Sequence, residues 1–223
     1  MHFAVIVFPG SNCDHDAYHV FRHILDVPVD FVWHRETDLK KYDAIIIPGG
    51  FSYGDYLRTG AIARFSPVME SVIKEAHAGK PVFGICNGFQ ILIESGLLPG
   101  ALIINKDVRF LSQDVTLEVD STDSIYTRSL QKGRKLTMPI AHKQGNFIAD
   151  ENTFKMLEDE DRIAFRYNKG KNGNPNGSTN RIAGILNKKR NVLGMMPHPE
   201  RAVESILGSD DGIDIFKSMI GVA

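Results

Sequence analysis

The chain has 223 residues, a hydrophobic content of 43% and a formal net charge of -1 at neutral pH. This length allows one α/β domain with a sizeable core, and the balanced charge gives no electrostatic reason to expect nucleic acid or an anionic membrane as the main partner. Two cysteines, Cys13 and Cys86, are too few for a disulfide framework and favour a reducing compartment. We therefore expect one cytoplasmic domain over residues 1–223, with neither a signal peptide nor a membrane span.

The first hundred residues alternate between short apolar runs and segments with helical periodicity. Apolar runs predict buried strands at residues 3–8, 44–47 and 82–85, and a further strand is predicted at 29–33. One helix is expected after the first run and a helical stretch after the loop at 51–59, and another helix begins at Ser66 with Pro67 in its first position. Strands that alternate with helices of this length are typical of a parallel sheet that is covered on both faces.

The pattern changes after about residue 101. Further strands are predicted at residues 115–119, 136–141, 162–166, 181–186 and 192–196. The links between them are rich in turn-forming residues, most strongly at 172–178. We expect a smaller antiparallel region joined to the parallel sheet, and a closing helix that includes Ile213 and Ile220.

Cys86 lies between the run at 82–85 and a helical segment, in the pattern Gly84-x-Cys86-x-Gly88. This pattern indicates the cysteine version of a nucleophile elbow, a sharp strand-to-helix turn that presents a side chain at the end of a sheet. Backbone N–H groups at the start of the helix favour a thiolate there. On the motif alone, a nucleophile and an ordinary buried core cysteine are about equally good interpretations.

A histidine and a carboxylate follow the predicted strand at 192–196. His198 should lie at the same sheet edge as Cys86 if the two strands are parallel, because ligand and catalytic groups of open α/β sheets gather at the carboxyl ends of the strands. Glu200 can reach back to orient the imidazole, as a cysteine–histidine pair requires. The alternative is a proline-rich surface turn, which we consider the weaker interpretation.

Two glycines, Gly49 and Gly50, follow the third predicted strand. A backbone N–H at Gly50 could approach a reacting carbonyl group, and with the N–H of Asn87 it would form an oxyanion hole. A plain turn is the alternative explanation of the two glycines.

Three histidines, His15, His19 and His23, are spaced at i, i+4 and i+8 on the first predicted helix. This spacing could bind a metal ion, but closed sites need four ligands and no carboxylate or cysteine completes a set beside them. An exposed helix face is the better interpretation, and we expect no metal site in this chain.

Taken together, the motifs GICNGFQ at residues 84–90 and MPHPE at 196–200 resemble those of the class I, triad-type glutamine amidotransferases. Within that class, PGGFSYGDYLR at 48–58 resembles the glutaminase subunits of phosphoribosylformylglycinamidine synthase, as do PGSNCD at 9–14 and NPNGS at 174–178. The resemblance covers nearly the whole chain, and the long motif at 48–58 is its most specific part.

The resemblance implies a flavodoxin-like, doubly wound α/β fold and a catalytic triad of Cys86, His198 and Glu200. It also implies that Gln90 helps to hold the substrate glutamine. The implied activity is hydrolysis of glutamine to glutamate and ammonia, with the ammonia used to convert formylglycinamide ribonucleotide to formylglycinamidine ribonucleotide in purine biosynthesis. Two features depart from the family pattern: Gln144 replaces an expected acidic residue, and residues 110–113 lack an expected cysteine. Both departures leave the triad intact, and they bear on how this chain would contact a partner subunit.

The sequence contains neither a GxxxxGK[ST] motif nor a GxGxxG motif after a strand. We therefore expect no cofactor in this chain and ATP activation on another subunit. The resemblance implies that this partner is a larger synthase subunit that uses ATP and magnesium, joined by a small third subunit where the chains are separate.

Two other functional classes stay open. One is a different cysteine hydrolase of the same fold, such as a peptidase or deglycase, which would not be expected to carry Pro-His-Pro-Glu. The other is a non-catalytic binding subunit, which would be expected to have lost Cys86, His198 or Glu200.

Overall fold

The computed structural model describes residues 1–170 and 173–222. The strands are β1 (Phe3–Val7), β2 (Val29–Trp33), β3 (Ala44–Ile47), β4 (Val82–Ile85), β5 (Ala101–Ile103), β6 (Leu111–Val119), β7 (Lys135–His142), β8 (Asn146–Ile148), β9 (Ile163–Tyr167), β10 (Ile182–Leu186) and β11 (Val192–Met195). The helices are α1 (Asp14–His19), α2 (Pro67–His77), α3 (Asn87–Glu94), α4 (Glu151–Asp159) and α5 (Ile213–Ile220).

One nine-stranded sheet organises the chain, with the strand order β2-β1-β3-β4-β11-β10-β9-β6-β7. The strands from β2 to β11 in this order pair in parallel, and the remaining four extend the same sheet by antiparallel pairing. A separate two-stranded sheet joins β5 to β8. The predicted fold class is confirmed: helices accompany a mostly parallel mixed sheet, and its antiparallel strands come from the second half of the chain.

Burial explains why the central strands are continuously apolar. Every residue of β3 and β4 is buried, as expected for parallel strands that are covered on both faces. Aromatic side chains join the outer layers to the sheet: Phe216 of α5 lies edge-on to Phe21, which itself stacks on Phe3 of β1. The apolar runs in the sequence therefore correspond to the core of the sheet.

The structure differs from the sequence prediction where the apolar signal is weak. Helix α4 was not predicted, because only Leu157 is buried in it, and its start is fixed by the Asp150 side chain, which accepts from Thr153 N at 2.7 Å. The short strands β5 and β8 were also missed. Strand β6 begins four residues earlier than predicted, since its exposed residues at 112–114 pair with β7. The first residue of the predicted loop at 172–178 lies outside the described residues.

Near the amino terminus, α1 ends at His19 and continues as a turn of π-helix, Val20–Ile24. His15 and His23 are exposed on this segment, and His19 Nε2 lies 3.1 Å from a carboxylate oxygen of Glu204.

A helix was expected after residue 59, but that stretch forms only a single 3₁₀ turn, Ala63–Phe65. None of the described helices has the length and apolar character that crossing a membrane requires.

Gly84 and Gly88 allow β3, β4 and α3 to approach one another closely. A Cβ added at Gly88 would overlap the backbone oxygen of Ile47, and one at Gly84 would lie 2.7 Å from the backbone oxygen of Gly88. Backbone atoms cannot move aside as a flexible side chain can, so the sheet edge that carries Cys86 depends on these glycines.

We predict that Gly88→Ala lowers the free energy of unfolding by about 3 kcal/mol or more, because its Cβ would force α3 away from β3. Urea denaturation would measure the loss. Gly96→Ala is the matched control: nothing lies within 4 Å of a Cβ there, so only the left-handed backbone should cost free energy, about 1–2 kcal/mol. Equal losses in the two variants would contradict the close approach as the cause.

Candidate active site

Cys86 occupies a strained turn between β4 and α3. Its φ of 51° and ψ of -104° lie in a region that residues with a side chain rarely adopt, at a cost of about 1–3 kcal/mol. The turn is held because Cys86 N donates to the carbonyl of Met195 at 2.8 Å and Gln90 N donates to the carbonyl of Cys86 at 3.2 Å. The thiol is directed over the carboxyl end of the sheet, with Sγ 3.8 Å from the carbonyl oxygen of Ala141.

His198 and Glu200 reach the same sheet edge because β11 lies beside β4. The two strands pair in parallel, with Met195 opposite Ile85, so both chains leave the sheet together. His198 N donates to the carbonyl of Pro139 in β7 at 2.8 Å, which fixes the turn. The imidazole Nδ1 lies 2.6 Å from Glu200 Oε1, and both side chains are almost fully buried. This contact orients the ring, as the sequence predicted for the pair.

Three neighbouring groups determine the protonation of His198. Burial alone would lower the pKa of the imidazole, but the Glu200 carboxylate and the thiols of Cys86 and Cys13 favour the charged form and raise that pKa well above 6.5. Nε2 has no hydrogen-bond partner among the described residues. The ring can therefore hold a proton at Nε2, on the side of the thiols.

A second thiol, that of Cys13, lies on this edge and was not predicted there. Cys13 is buried at the start of α1, and the guanidinium Nη2 of Arg201 lies 3.0 Å from its Sγ. Burial raises the pKa of the Cys13 thiol, and the contact with His198 offsets part of that rise. The available signal was positional: Cys13 follows β1, a strand parallel to β4 through β3, so it leaves the sheet at the same edge.

In the described part of the chain, Cys13, His198 and Glu200 bring three atoms of the types that ligate metals within 4.8 Å of one another. The histidine and the carboxylate already bond to each other, and Arg201 places a positive charge on the thiol. These contacts do not suit a cation, since like charge at this distance opposes binding.

Gly49, the first of the two glycines that follow β3, lies between Cys13 and Cys86. A Cβ built on Gly49 would lie 2.8 Å from Cε1 of His198, 3.2 Å from Cys13 Sγ and 3.4 Å from Cys86 Cβ. Gly50 has a φ of 126°, which favours glycine. Within the described residues, the backbone N–H groups of Gly50 and Asn87 donate to no protein acceptor. Both remain available to a ligand.

A cavity of about 170 Å³ opens beside the Cys86 thiol. Its lining comes from the loop after β3, the elbow and the end of β7, and consists of Gly50, Phe51, Asp55, Thr59, Cys86, Gln90, Ala141, His142, Lys143 and Gln144. A second cavity of about 200 Å³ lies on the side of Cys13, His198 and Arg201. The nucleophile candidate therefore faces one cavity, while the second thiol faces another.

Gln90, for which the family resemblance implies a contact with the substrate, lines the first cavity, and its amide also bridges protein groups. Nε2 donates to the carbonyl oxygen of Gln144 at 2.6 Å, and Oε1 accepts from Asn87 Nδ2 at 2.9 Å. Gln90 therefore joins the wall at residue 144 to the first turn of α3.

Three further residues complete the wall and were missed as site residues. Thr59 Oγ1 donates to Gln144 Oε1 at 2.8 Å, and Asn87 Nδ2 donates to Asp55 Oδ1 at 3.2 Å. Burial and the neighbouring His198 lower the pKa of His142 to about 4, so this imidazole is neutral at pH 7. Asp55 and Thr59 lie in or next to the motif at 48–58, which was the signal that could have identified them.

Comparison with known proteins agrees with this geometry. A family model described as a CobB/CobQ-like glutamine amidotransferase domain matches residues 1–211. The phosphoribosylformylglycinamidine synthase subunit PurQ of Koribacter versatilis is 55% identical over 226 residues, covering 99% of this chain and 98% of that protein. A chain in the structure of PurLQS from Thermotoga maritima is 44% identical, with a TM-score of 0.89 over 99% of this chain and 97% of that one. This chain belongs to the PurQ family of glutamine amidotransferases.

The family resemblance drawn from the sequence motifs is thereby confirmed. A more distant structure, the glutaminase domain of Trypanosoma brucei CTPS with bound acivicin, has a TM-score of 0.63 at 14% identity over 100% of this chain and 95% of that one. At that identity it shows a shared fold. A peptidase or deglycase of the same architecture does not agree with membership of the PurQ family.

We predict that Glu200→Gln lowers the pKa of His198, because the carboxylate is the largest influence that raises it. A group whose pKa is raised by folding contributes stability that is complete below about pH 6.5 and is lost as the pH rises through the raised pKa. The stability advantage of wild type over this variant should therefore be largest near pH 6.5 and shrink in alkaline solution.

NMR titration of the His198 ring and urea denaturation at several pH values would measure both effects. Glu204→Gln is the matched control, since Glu204 forms a comparable but half-exposed contact with His19. An unchanged His198 titration in Glu200→Gln would contradict the electrostatic role of Glu200.

Proposed function

We propose that this chain is the glutaminase of phosphoribosylformylglycinamidine synthase. It hydrolyses glutamine and passes ammonia to a larger ATP-dependent subunit, which converts formylglycinamide ribonucleotide to formylglycinamidine ribonucleotide in purine biosynthesis. The observation that carries the proposal is the Cys86 elbow, which opens on one cavity and contacts His198, whose ring is held by the buried Glu200, in a chain of the PurQ family.

In the proposed reaction, the Cys86 thiolate attacks the carboxamide carbon of glutamine. The carbonyl oxygen becomes an oxyanion that accepts hydrogen bonds from Gly50 N and Asn87 N, each worth roughly 10²–10³ in rate. Protonated His198 gives its Nε2 proton to the amide nitrogen, so that ammonia leaves and a thioester forms on Cys86. The imidazole, held by Glu200, then takes a proton from water, and the resulting hydroxide releases glutamate and restores the thiolate.

No step of this reaction requires a metal, and the proposal places ATP and magnesium on the partner. We propose that Gln90 also contacts the substrate, through the hydrogen-bonding capacity of its side-chain amide that the two bonds to Asn87 and Gln144 leave unused. We also propose that residues 1–223 act as one glutamine amidotransferase domain and that the complex works in the cytoplasm.

The relation to PurLQS supports a partner, because the chain that matches in that structure comes from an assembly of several subunits by name. Exposed apolar side chains in the stretch of chain that follows Asp55 support it as well. Tyr56 is 87% exposed, Leu57 81% and Phe65 76%, Leu57 and Phe65 line one surface pocket, and a group of apolar side chains this exposed is typical of an interaction surface. We propose that the larger synthase subunit covers them and that a small third subunit completes the complex.

We predict that Cys86→Ser lowers ammonia release from glutamine by at least about a thousandfold, because the hydroxyl is a much weaker nucleophile than a thiolate. Cys13→Ser is the informative comparison, since Cys13 also lies beside His198 but faces the other cavity. We expect that variant to lose less than about tenfold. Equal losses from the two variants would remove the assignment of Cys86 as the nucleophile.

We also predict weak glutaminase activity of the chain alone and faster ammonia release with the larger synthase subunit. Leu57→Ser should raise the concentration of synthase needed for half-maximal stimulation by at least about fivefold, as expected for loss of a buried interface anchor. Val222→Ser is the control, because Val222 is a half-exposed apolar residue that lies away from the site. Its neighbour Gly221 is close to Arg128, and Arg128 lines a surface pocket with Pro81 at the amino end of β4. Equal glutaminase rates with and without the synthase subunit would count against coupling.

A further inference from the structure

The glutamine cavity contains one side chain of each charge among the described residues that line it. Asp55 is the carboxylate and Lys143 is the cation, while His142 is neutral at pH 7 because burial lowers its pKa to about 4. Neither Asp55 nor Lys143 forms an ion pair with another residue in the described part of the chain. The cavity therefore presents two opposite charges that no ion pair within the described part of the chain compensates.

Asp55 is held firmly in this wall. It ends the short 3₁₀ segment Ser52–Asp55 with a φ of 52°, and its Oδ1 accepts from Asn87 Nδ2 at 3.2 Å. Asn87 is fixed in turn, because its Oδ1 accepts from Ser52 N at 3.1 Å. The carboxylate is thereby attached to the first turn of the helix that begins after the Cys86 elbow.

Half-burial of an unpaired carboxylate is costly. Desolvation raises the pKa of Asp55, although hydrogen bonds from the Gly60 backbone and from Asn87 offset part of the effect. A cation at the carboxylate would recover the lost free energy, because it replaces the solvation that burial removes. The position of Asp55 in the cavity wall beside Cys86 makes a bound ligand the natural source of that cation.

We infer that Asp55 binds the α-ammonium group of the substrate and Lys143 its α-carboxylate, so that the site selects a free zwitterionic amino acid. The inference rests on the proposed glutaminase function and adds to it the groups that recognise the far end of glutamine. Two methylene groups separate the reacting carboxamide from Cα, so the ionic groups lie away from the thiol while the carboxamide meets it. Glutamine within a peptide lacks both charges and is excluded.

The test compares glutamine with 4-carbamoylbutanoate, which is glutamine without its amino group, in the presence of the larger synthase subunit. In wild type, kcat/KM for glutamine should exceed that for the analogue by at least about tenfold, the size expected of one charge-assisted contact. Asp55→Asn should lower kcat/KM for glutamine by at least about tenfold, mainly through KM, and leave that for the analogue unchanged or higher. Asparagine tolerates the positive φ of this position.

A second variant keeps the inference testable if Asp55→Asn fails to fold. Lys143 is exposed, and Lys143→Met should reduce hydrolysis of glutamine while leaving that of glutamine α-amide, which lacks the carboxylate, little changed. Asp38→Asn, at an exposed turn where Oδ1 accepts from Lys40 N, is the matched control and should keep the wild-type preference.

The outcomes separate the two proposals. If wild type hydrolyses glutamine but Asp55→Asn lowers kcat/KM equally for glutamine and for the analogue, Asp55 acts only by holding Asn87. The inference is then wrong while the glutaminase function stands. If wild type releases no ammonia from glutamine under any condition, the proposed function fails and the inference falls with it. Loss of the preference in Asp55→Asn alone supports both.

Discussion

Strand β11 lies beside β4 in parallel register, with Val192 opposite Val82 and Met195 opposite Ile85. The meeting of Cys86 with His198 and Glu200 depends on this pairing. It makes the elbow and the Pro-His-Pro-Glu turn leave the sheet at one edge, although they are more than a hundred residues apart in the chain. The pairing in turn requires a close approach to α3: a Cβ on Gly194 would lie 2.6 Å from Leu98 Cδ1 and would overlap the ring of Phe89.

The charged groups at this sheet edge compensate one another. Glu200 is almost fully buried and is held against Nδ1 of His198, while Nε2 faces two thiols. A buried carboxylate on its own would be expensive, and the imidazolium compensates it because the two charges are 2.6 Å apart. Arg201 adds a positive charge beside Cys13 and pairs with Asp16 at 2.9 Å. Anionic character at the thiols is thus balanced from two sides.

The sequence was sufficient where the signal was local and apolar. Strands β2, β3 and β4 begin and end where the apolar runs do, and α2 begins at Pro67 as its helix-start signal predicted. The pattern around Cys86 also predicted its turn, because only a few arrangements of glycines allow that backbone. The meeting of Cys86 with His198 could be anticipated only by assuming parallel strands.

The rest depended on tertiary contacts that leave little trace in local patterns. The polar part of β6 is a strand because β7 pairs with it along its length. Cys13 carries no motif of its own, and its position beside His198 follows from the order of β1, β3 and β4 in the sheet. Gln90 was predicted as a substrate contact, yet its two protein hydrogen bonds to Asn87 and Gln144 became visible only once the end of β7 was placed against α3.

The segment at 51–59 has two faces that serve different purposes. Asp55 and Thr59 turn into the cavity, whereas Tyr56 and Leu57 are exposed. Its backbone is anchored on the protein side, since Tyr53 Oη contacts both His34 Nδ1 at 2.8 Å and Ser66 Oγ at 2.7 Å.

Further along the same segment, Arg58 pairs with Glu94 at the end of α3, the helix whose first residue is Asn87. A partner that covers Tyr56 and Leu57 therefore contacts the same stretch of backbone that holds Asp55 and Thr59 in the cavity wall. Through the ion pair of Arg58 with Glu94, this stretch is also joined to α3, the helix that supplies one of the proposed oxyanion donors. This shared backbone is a physical reason for substrate binding and subunit association to depend on each other in a glutaminase that delivers ammonia to a second subunit.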